Sequence, residues 1–198
     1  MRLKIRSGST LYFSYGANMS SAVLERRGLK PLSSEAARLD GYAFGFTHRG
    51  LLPIEPAFAN IQPEAGSHLH GVLHRLRTED MARLDRIEGA EYTHEHVEVI
   101  GTASGLTAAR AYLDPDPVSG LKPSRRYLGS CCEGARKFGL PEAYVARMAS
   151  HPSVYVPVIS DLANLLVGTM EALHRAGFKP ELLRMRWHRR RDDRTVDS

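Results

Sequence analysis

Met81, Leu84 and Glu88 stand at i, i+3 and i+7, a spacing that puts all three on one face of a helix and points a carboxylate where apolar side chains point. Partial burial and the negative end of the helix dipole, just before Gly89, both work against the charge of a carboxyl so placed. Such a group can take and return a proton near neutral pH. The spacing leaves a second reading open, in which Glu88 reaches solvent and pairs with Arg83 or another surface base. A second candidate is the segment Thr10 to Ser20, a strand running into Gly16-Ala17-Asn18 and then a helix. Gly16 permits close backbone approach, and N–H groups at such a turn form an anion or oxyanion site. An ordinary turn capped by Asn18 and Ser20 fits the same residues. Tyr127, in the first turn of a helix opened by Pro123-Ser124, can offer a phenol to a substrate carboxylate or serve as core.

Other residue types point away from their usual chemistries. His94, His96 and Glu98 alternate along a strand, as do His68 and His70, but without a fixed motif such as His-Glu-x-x-His no metal site is expected. The two cysteines, Cys131 and Cys132, are adjacent, which excludes a disulfide framework and a Cys-x-x-Cys motif. There is no Gly-x-Ser-x-Gly elbow, Walker loop or Gly-x-Gly-x-x-Gly after a strand, so serine-hydrolase, nucleotide-triphosphate and dinucleotide chemistry lose support. Six arginines against three aspartates leave Arg184 to Ser198 with a net charge of +3 out of +5 for the whole chain. The Asp192-Asp193 pair interrupts that basic cluster, so a solvated tail is expected and nucleic-acid binding is not.

The elements that must position these residues are legible in outline. Strands are expected at Leu3 to Ile5, Thr10 to Tyr15, Leu39 to Thr47, Phe58 to Gln62, Leu69 to Leu76, Tyr92 to Ile100 and Thr107 to Leu113, separated by Gly, Pro and Asp clusters. A short helix runs from about Ser20 to Arg27 and stops at Gly28. The helix carrying Glu88 opens with Thr78 as N-cap and Glu79 and Asp80 in its first turn. Beyond Asp114-Pro115-Asp116-Pro117 the pattern turns helical: Ser124 to Phe138, Pro141 to Ser150 and Ser160 to Ala176. Strands first and helices after argue for an α+β fold, with helices on a mainly antiparallel, barrel-like sheet.

The 198 residues, 42% hydrophobic, suffice for one domain of about 150 residues plus an appendage. The expected division is residues 1–150 as the domain, 151–180 as an additional helix packed on it, and 181–198 as a basic tail. No apolar run approaches the roughly 20 residues that cross a bilayer. Met1 to Arg6 does not lead into a signal segment, so a cytoplasmic protein with no membrane partner is the expectation.

Three motifs in order, across residues 11 to 150, resemble the γ-glutamylcyclotransferase family. Leu11-Tyr12-Phe13-Ser14-Tyr15-Gly16-Ala17-Asn18-Met19 is similar to its strand-borne Tyr-Gly-Ser-Asn signature, and Leu84-Asp85-Arg86-Ile87-Glu88-Gly89 to its segment with the catalytic glutamate. Pro123-Ser124-Arg125-Arg126-Tyr127, followed by Gly134-Ala135 and Gly139-Leu140-Pro141, resembles its helix with a substrate-contacting tyrosine, and a Gly71-Val72 strand lies between the first two motifs. Ala17 stands where the signature commonly has serine, and residues 152–198 have no counterpart in the pattern.

The resemblance implies a small β-barrel with surrounding helices (γ-glutamylcyclotransferase-like) and no cofactor. It implies cyclisation of a γ-glutamyl amine or amino acid to 5-oxoproline with release of the amine, a transferase or amide-cleaving lyase type of reaction. It makes Glu88 the general acid/base and Tyr12, Phe13, Ser14, Tyr15, Gly16, Ala17, Asn18 and Tyr127 the substrate contacts. The sequence does not fix an oligomeric state, and a homodimer is compatible with it. Glutathione is the less favoured substrate. A non-catalytic small-molecule or protein-binding module on the same fold is the alternative.

Overall fold

The stretches rich in β-formers become strands, but two of them run through the turn signals that the sequence places inside them. In the computed structural model, which describes residues 8–52, 54–89 and 92–155, β1 spans Ser9–Ser14, β2 Ser33–Leu52, β3 Glu55–Arg77, β4 Thr93–Gly101 and β5 Gly105–Leu113. The expected break between Gln62 and Leu69 is instead a bulge. Asp40 pairs with His68 and Tyr42 with Pro63, so β3 uses five steps against two on β2. Gly41 and Gly66, both with positive φ, absorb the extra residues. The expected strand at Leu3 to Ile5, the helix at Ser160 to Ala176 and the tail 181–198 lie outside the described residues. Among the described residues, no helix is long and apolar enough to cross a membrane.

The strands close into a barrel in the order β1-β3-β2-β4-β5. Every long ladder is antiparallel, and the barrel shuts where β1 meets β5 in parallel at Tyr12 and Arg110. Alternation along β1 sorts its side chains into two cores. Phe13 and Tyr15 join Leu39, Leu69, Val97, Val99 and Ala111 with apolar residues of the later helices, whereas Tyr12 packs with Leu24, Leu29, Leu76, Met81, Leu84 and Tyr112. The second cluster lies under α1 (Ser21–Arg26) and α2 (Thr78–Glu88). Thr78 is the first helical residue rather than the N-cap, a place taken by Arg77, and its N–H is held by the Gly8 carbonyl at 3.0 Å.

Past β5 the chain forms α3 (Arg125–Lys137) and α4 (Glu142–Ala149). The Ser124 hydroxyl caps α3 by accepting from the Tyr127 N–H at 3.0 Å. Farther along, α3 lies directly on the backbone that follows the β1 turn: a Cβ added at Gly134 would stand 2.5 Å from the Ser20 nitrogen and 2.6 Å from the Met19 carbonyl carbon.

That contact separates two glycines of one helix. Alanine at Gly129, which has open space around it, should raise stability in urea unfolding by up to about 1 kcal/mol through helix propensity. At Gly134 the same gain is outweighed by overpacking, and alanine should lower stability by about 1–3 kcal/mol.

Candidate functional site

The turn after β1 and the end of α2 meet at one carboxylate. Gly89, at φ 73°, ends α2 immediately after Glu88, and the Glu88 side chain, 15% exposed, turns toward the barrel. Its Oε1 accepts from Asn18 Nδ2 at 2.9 Å and from the Arg27 guanidinium at 2.7 Å. Among the described residues, Oε2 takes no hydrogen bond. The cation that pairs with Glu88 is therefore Arg27, which follows α1, while Arg83 donates to the Gly28 carbonyl. Long-range packing of α1 beside α2 makes this pair, and nothing in local spacing announces it.

Asn18 sits at the centre of a short 3₁₀ turn, Ala17–Met19, and is buried. Its Nδ2 uses both protons, one on Glu88 and one on the Tyr12 hydroxyl at 2.9 Å. The carboxylate fixes the amide orientation, since an oxygen facing Glu88 would be repelled. Asn18 Oδ1 is thus left buried with no hydrogen-bond partner among the described residues, an uncompensated acceptor worth about 1–3 kcal/mol to a ligand that can donate to it.

Behind Asn18 lies His74, fully buried on β3 between Tyr12 of β1 and Ser34 of β2. Burial pushes its pKa down to about 4, the hydrogen bond to Asn18 only partly opposing it. A carbonyl can only accept, so the neutral ring carries its proton on Nε2, donating to the Asn18 carbonyl at 3.1 Å, and Nδ1 accepts from the Ser34 hydroxyl at 2.7 Å.

Five phenols surround this centre. Burial raises Tyr12, Tyr15, Tyr92, Tyr112 and Tyr127 above the ordinary tyrosine value, and the negative charge of Glu88 adds to the rise in each. All five remain neutral hydroxyls. Tyr127 and Tyr92 are set by the backbone of one residue: Tyr127 Oη accepts from the Ala59 N–H at 3.1 Å, and Tyr92 donates to the Ala59 carbonyl at 3.2 Å. Ala59 is free to do this because the β2–β3 register slips there, with Gly45 opposite Asn60 and His48 opposite Phe58. Gly16 is required by the same approach, since a Cβ would stand 2.9 Å from Tyr127 Oη. The start of α3 is pinned by buried Glu55, which accepts from Ser124 Oγ at 2.7 Å and from Arg126 at 2.8 Å and 2.9 Å. On the other side Asp85, three residues before Glu88, accepts from Arg110 and from the Tyr112 hydroxyl and so ties α2 to β5.

The residues singled out in the sequence are therefore placed unequally. Glu88, Asn18 and Tyr12 are joined by hydrogen bonds, and Gly16 lies against Tyr127. Phe13 is in the barrel core, Tyr15 donates its hydroxyl to the Tyr112 carbonyl, Ser14 is buried, and the Ala17 methyl packs in the core where a serine would place its hydroxyl. The Met19 N–H, one of the turn donors, is taken by the Gly16 carbonyl at 3.0 Å. Arg27, His74, Tyr92, Tyr112, Asp85 and Glu55 were not foreseen, because each acts across a long sequence separation. His96 and Glu98 line a separate depression of about 370 Å³ on the barrel wall with Leu39, Asp40 and Tyr42. Among the described residues no group of three or more His, Cys, Asp and Glu could hold a metal ion.

The candidate site is thus a closed barrel carrying one carboxylate held by an amide from a glycine-bearing turn, with phenols around it. The AIG2-like family profile matches residues 68–148. A γ-glutamyl cyclotransferase of Claviceps purpurea is 27% identical over 158 residues, covering 70% of this chain and 67% of its own. The γ-glutamylcyclotransferase of Mus musculus is 28% identical, covering 76% of this chain and 84% of its own. A solved γ-glutamyl cyclotransferase shares the fold with a TM-score of 0.66 at 24% identity, over 78% of this chain and 98% of that one. A solved Homo sapiens protein, described as uncharacterized, reaches 0.65 at 26% identity over 75% of this chain and 91% of its own. The chain is thus similar to the AIG2-like family over residues 68–148 and to γ-glutamylcyclotransferases over 70% or more of its length.

The buried imidazole predicts an acid-sensitive fold. Between pH 6.5 and 4 the unfolded chain binds a proton at His74 that the folded chain does not, so stability rises with pH across that window. Acidification from pH 7 to pH 4 should remove about 3 kcal/mol through this residue, and urea titrations of His74→Gln should lack that component of the pH dependence.

Proposed function

We propose that the protein is a γ-glutamylcyclotransferase, cyclising a γ-glutamyl amine or amino acid to 5-oxoproline and releasing the amine, with Glu88 as the general acid/base. The observation that carries this reading is the pairing at Asn18. Its amide holds Glu88 Oε1 through Nδ2 while its own buried Oδ1 has no partner among the described residues. A substrate α-amine donating one N–H to Asn18 Oδ1 lies beside a carboxylate whose Oε2 is open to take a proton.

The reaction then needs one proton shuttle. The α-amine attacks the γ-carbonyl carbon, a C–N bond forms, and the ammonium proton passes to Glu88. As the tetrahedral centre collapses, Glu88 returns that proton to the leaving nitrogen and the original C–N bond breaks. No water, electron or protein nucleophile is consumed, so the chemistry asks for no cofactor. Neutral hydroxyls suit the oxyanion, and Tyr127, whose oxygen already accepts from the Ala59 N–H, has its proton to give. Arg27, beside the same carboxylate oxygen as Asn18, keeps Glu88 from rotating away and so preserves the geometry on which ring closure depends. Phe13, Ser14, Tyr15 and Ala17 contribute through the backbone they fix. The substrate's leaving group is open among γ-glutamyl amino acids, polyamines and biosynthetic intermediates.

Across such a panel, with 5-oxoproline measured directly, Glu88→Gln should lower kcat by about 100-fold or more, the range of a lost general acid/base. Turnover unchanged by Glu88→Gln refutes the assignment. Tight binding of a γ-glutamyl compound with no 5-oxoproline from the unaltered protein instead identifies a binding module on this fold.

A further inference from the structure

The carbonyls of the turn are taken in succession: Gly16 by the Met19 N–H at 3.0 Å, Ala17 by the Ser20 N–H at 2.9 Å, and Asn18 by His74 Nε2 at 3.1 Å. The third of these comes from across the barrel wall, 56 residues away in sequence. His74 also stacks on Tyr12, with ring centroids 6.1 Å apart and planes 26° apart, and Tyr12 is the second acceptor of the Asn18 amide. One imidazole therefore touches both the carbonyl of Asn18 and the ring toward which the Asn18 side chain points.

We propose that His74 is a positioning residue for the reaction: its Nε2–H fixes the Asn18 peptide, and through it the aim of the Asn18 amide at Glu88. The inference rests on the cyclotransferase reading for its kinetic part only. The constraint is geometric. A single nitrogen, Nδ2, must meet two acceptors at 2.9 Å each, so a small rotation of the Asn18 backbone spoils both contacts and releases Glu88 Oε1 to Arg27 alone. The ring cannot supply its proton in another orientation, because Nδ1 is occupied by the Ser34 hydroxyl at 2.7 Å. Ser34 on β2 and Tyr12 on β1 are its two cross-strand neighbours, so the barrel ladder itself sets where the proton points. The column Ser34, His74, Asn18, Glu88 transmits strand register to the carboxylate.

A merely structural histidine would affect folding and leave the Asn18 to Glu88 geometry to follow passively, so the test separates the two. The full chain is compared with His74→Phe, His74→Gln, Asn18→Ala and the Asn18→Ala/His74→Phe pair. His74→Phe fills the ring's place without a donor and should lower kcat roughly tenfold or more with KM changed less than about threefold. His74→Gln restores a donor and should recover most of that loss. In the Asn18→Ala background His74→Phe should cost no more than about twofold, because the group it aims is gone. An equal loss in both backgrounds overturns the proposal.

A second readout needs no substrate. The side-chain amide resonances of Asn18, assigned by their disappearance in Asn18→Ala, should shift in Glu88→Gln and in His74→Phe and return toward the unaltered position in His74→Gln. Amide resonances unmoved in His74→Phe overturn the proposal, whatever the kinetics. If they move as expected while no γ-glutamyl compound is turned over, the reaction reading fails and the positioning role stands. Should His74→Phe fail to fold, His74→Asn, polar but too short to reach the Asn18 carbonyl, replaces it with the same expectations.

Discussion

The two N–H bonds of the Asn18 side chain, one to Glu88 and one to Tyr12, join the three parts of the site that the chain builds separately. Tyr12 belongs to a barrel strand, Asn18 to the turn that leaves it, and Glu88 to a helix some 70 residues later. Each of the other anchors serves to keep these three in register. Asp85 ties α2 to β5 three residues before Glu88. Glu55 and Ser124 fix the start of α3 and with it Tyr127. Gly134 lets that same helix rest on the backbone just past Asn18. Buried polar groups are costly when partly satisfied. Among the described residues the buried side-chain atoms without a hydrogen-bond partner include Ser14 Oγ and Asn18 Oδ1, both in or beside the turn, and it is Asn18 Oδ1 to which the proposed reaction assigns the substrate amine.

The bulges show how backbone irregularity positions side chains. Where β2 and β3 keep register, every peptide group is spent on the ladder. At Ala59 the slip releases both an N–H and a carbonyl, and two phenols take them. A regular hairpin of the same length would leave Tyr127 and Tyr92 without these backbone anchors. Ala17 fits the same logic: its small side chain packs inward, so the turn keeps its path without the serine hydroxyl common in the family signature.

What was legible in the sequence was local. Helical spacing put Glu88 on the inward face, and Gly89 marked its end. The helix opened by Pro123-Ser124 was readable to within a residue, Ser124 proving to be its cap, and the change from strands to helices near Pro117 gave the α+β class. The Pro63 to Ser67 stretch misled, because glycine and proline mark a bulge as readily as a strand end. Thr78 misled as well, because the helix starts one residue earlier than its capping residue type suggests, with Arg77 in the cap position. Arg27, His74 and Tyr92 were beyond reach because their meaning lies in cross-strand and interhelical pairing. The same limit kept the committed hydroxyl of Tyr15 and the core placement of Phe13 out of view.

The central claim is intramolecular attack in a site built around Glu88, as against attack by water on the same γ-carbonyl. The two differ in the fate of an oxygen atom. With a turned-over γ-glutamyl compound in water enriched in oxygen-18, mass spectrometry of the product distinguishes them directly. Cyclisation predicts 5-oxoproline with no label in its ring carbonyl. Free glutamate carrying one labelled oxygen in its γ-carboxylate, formed in place of 5-oxoproline, would contradict it.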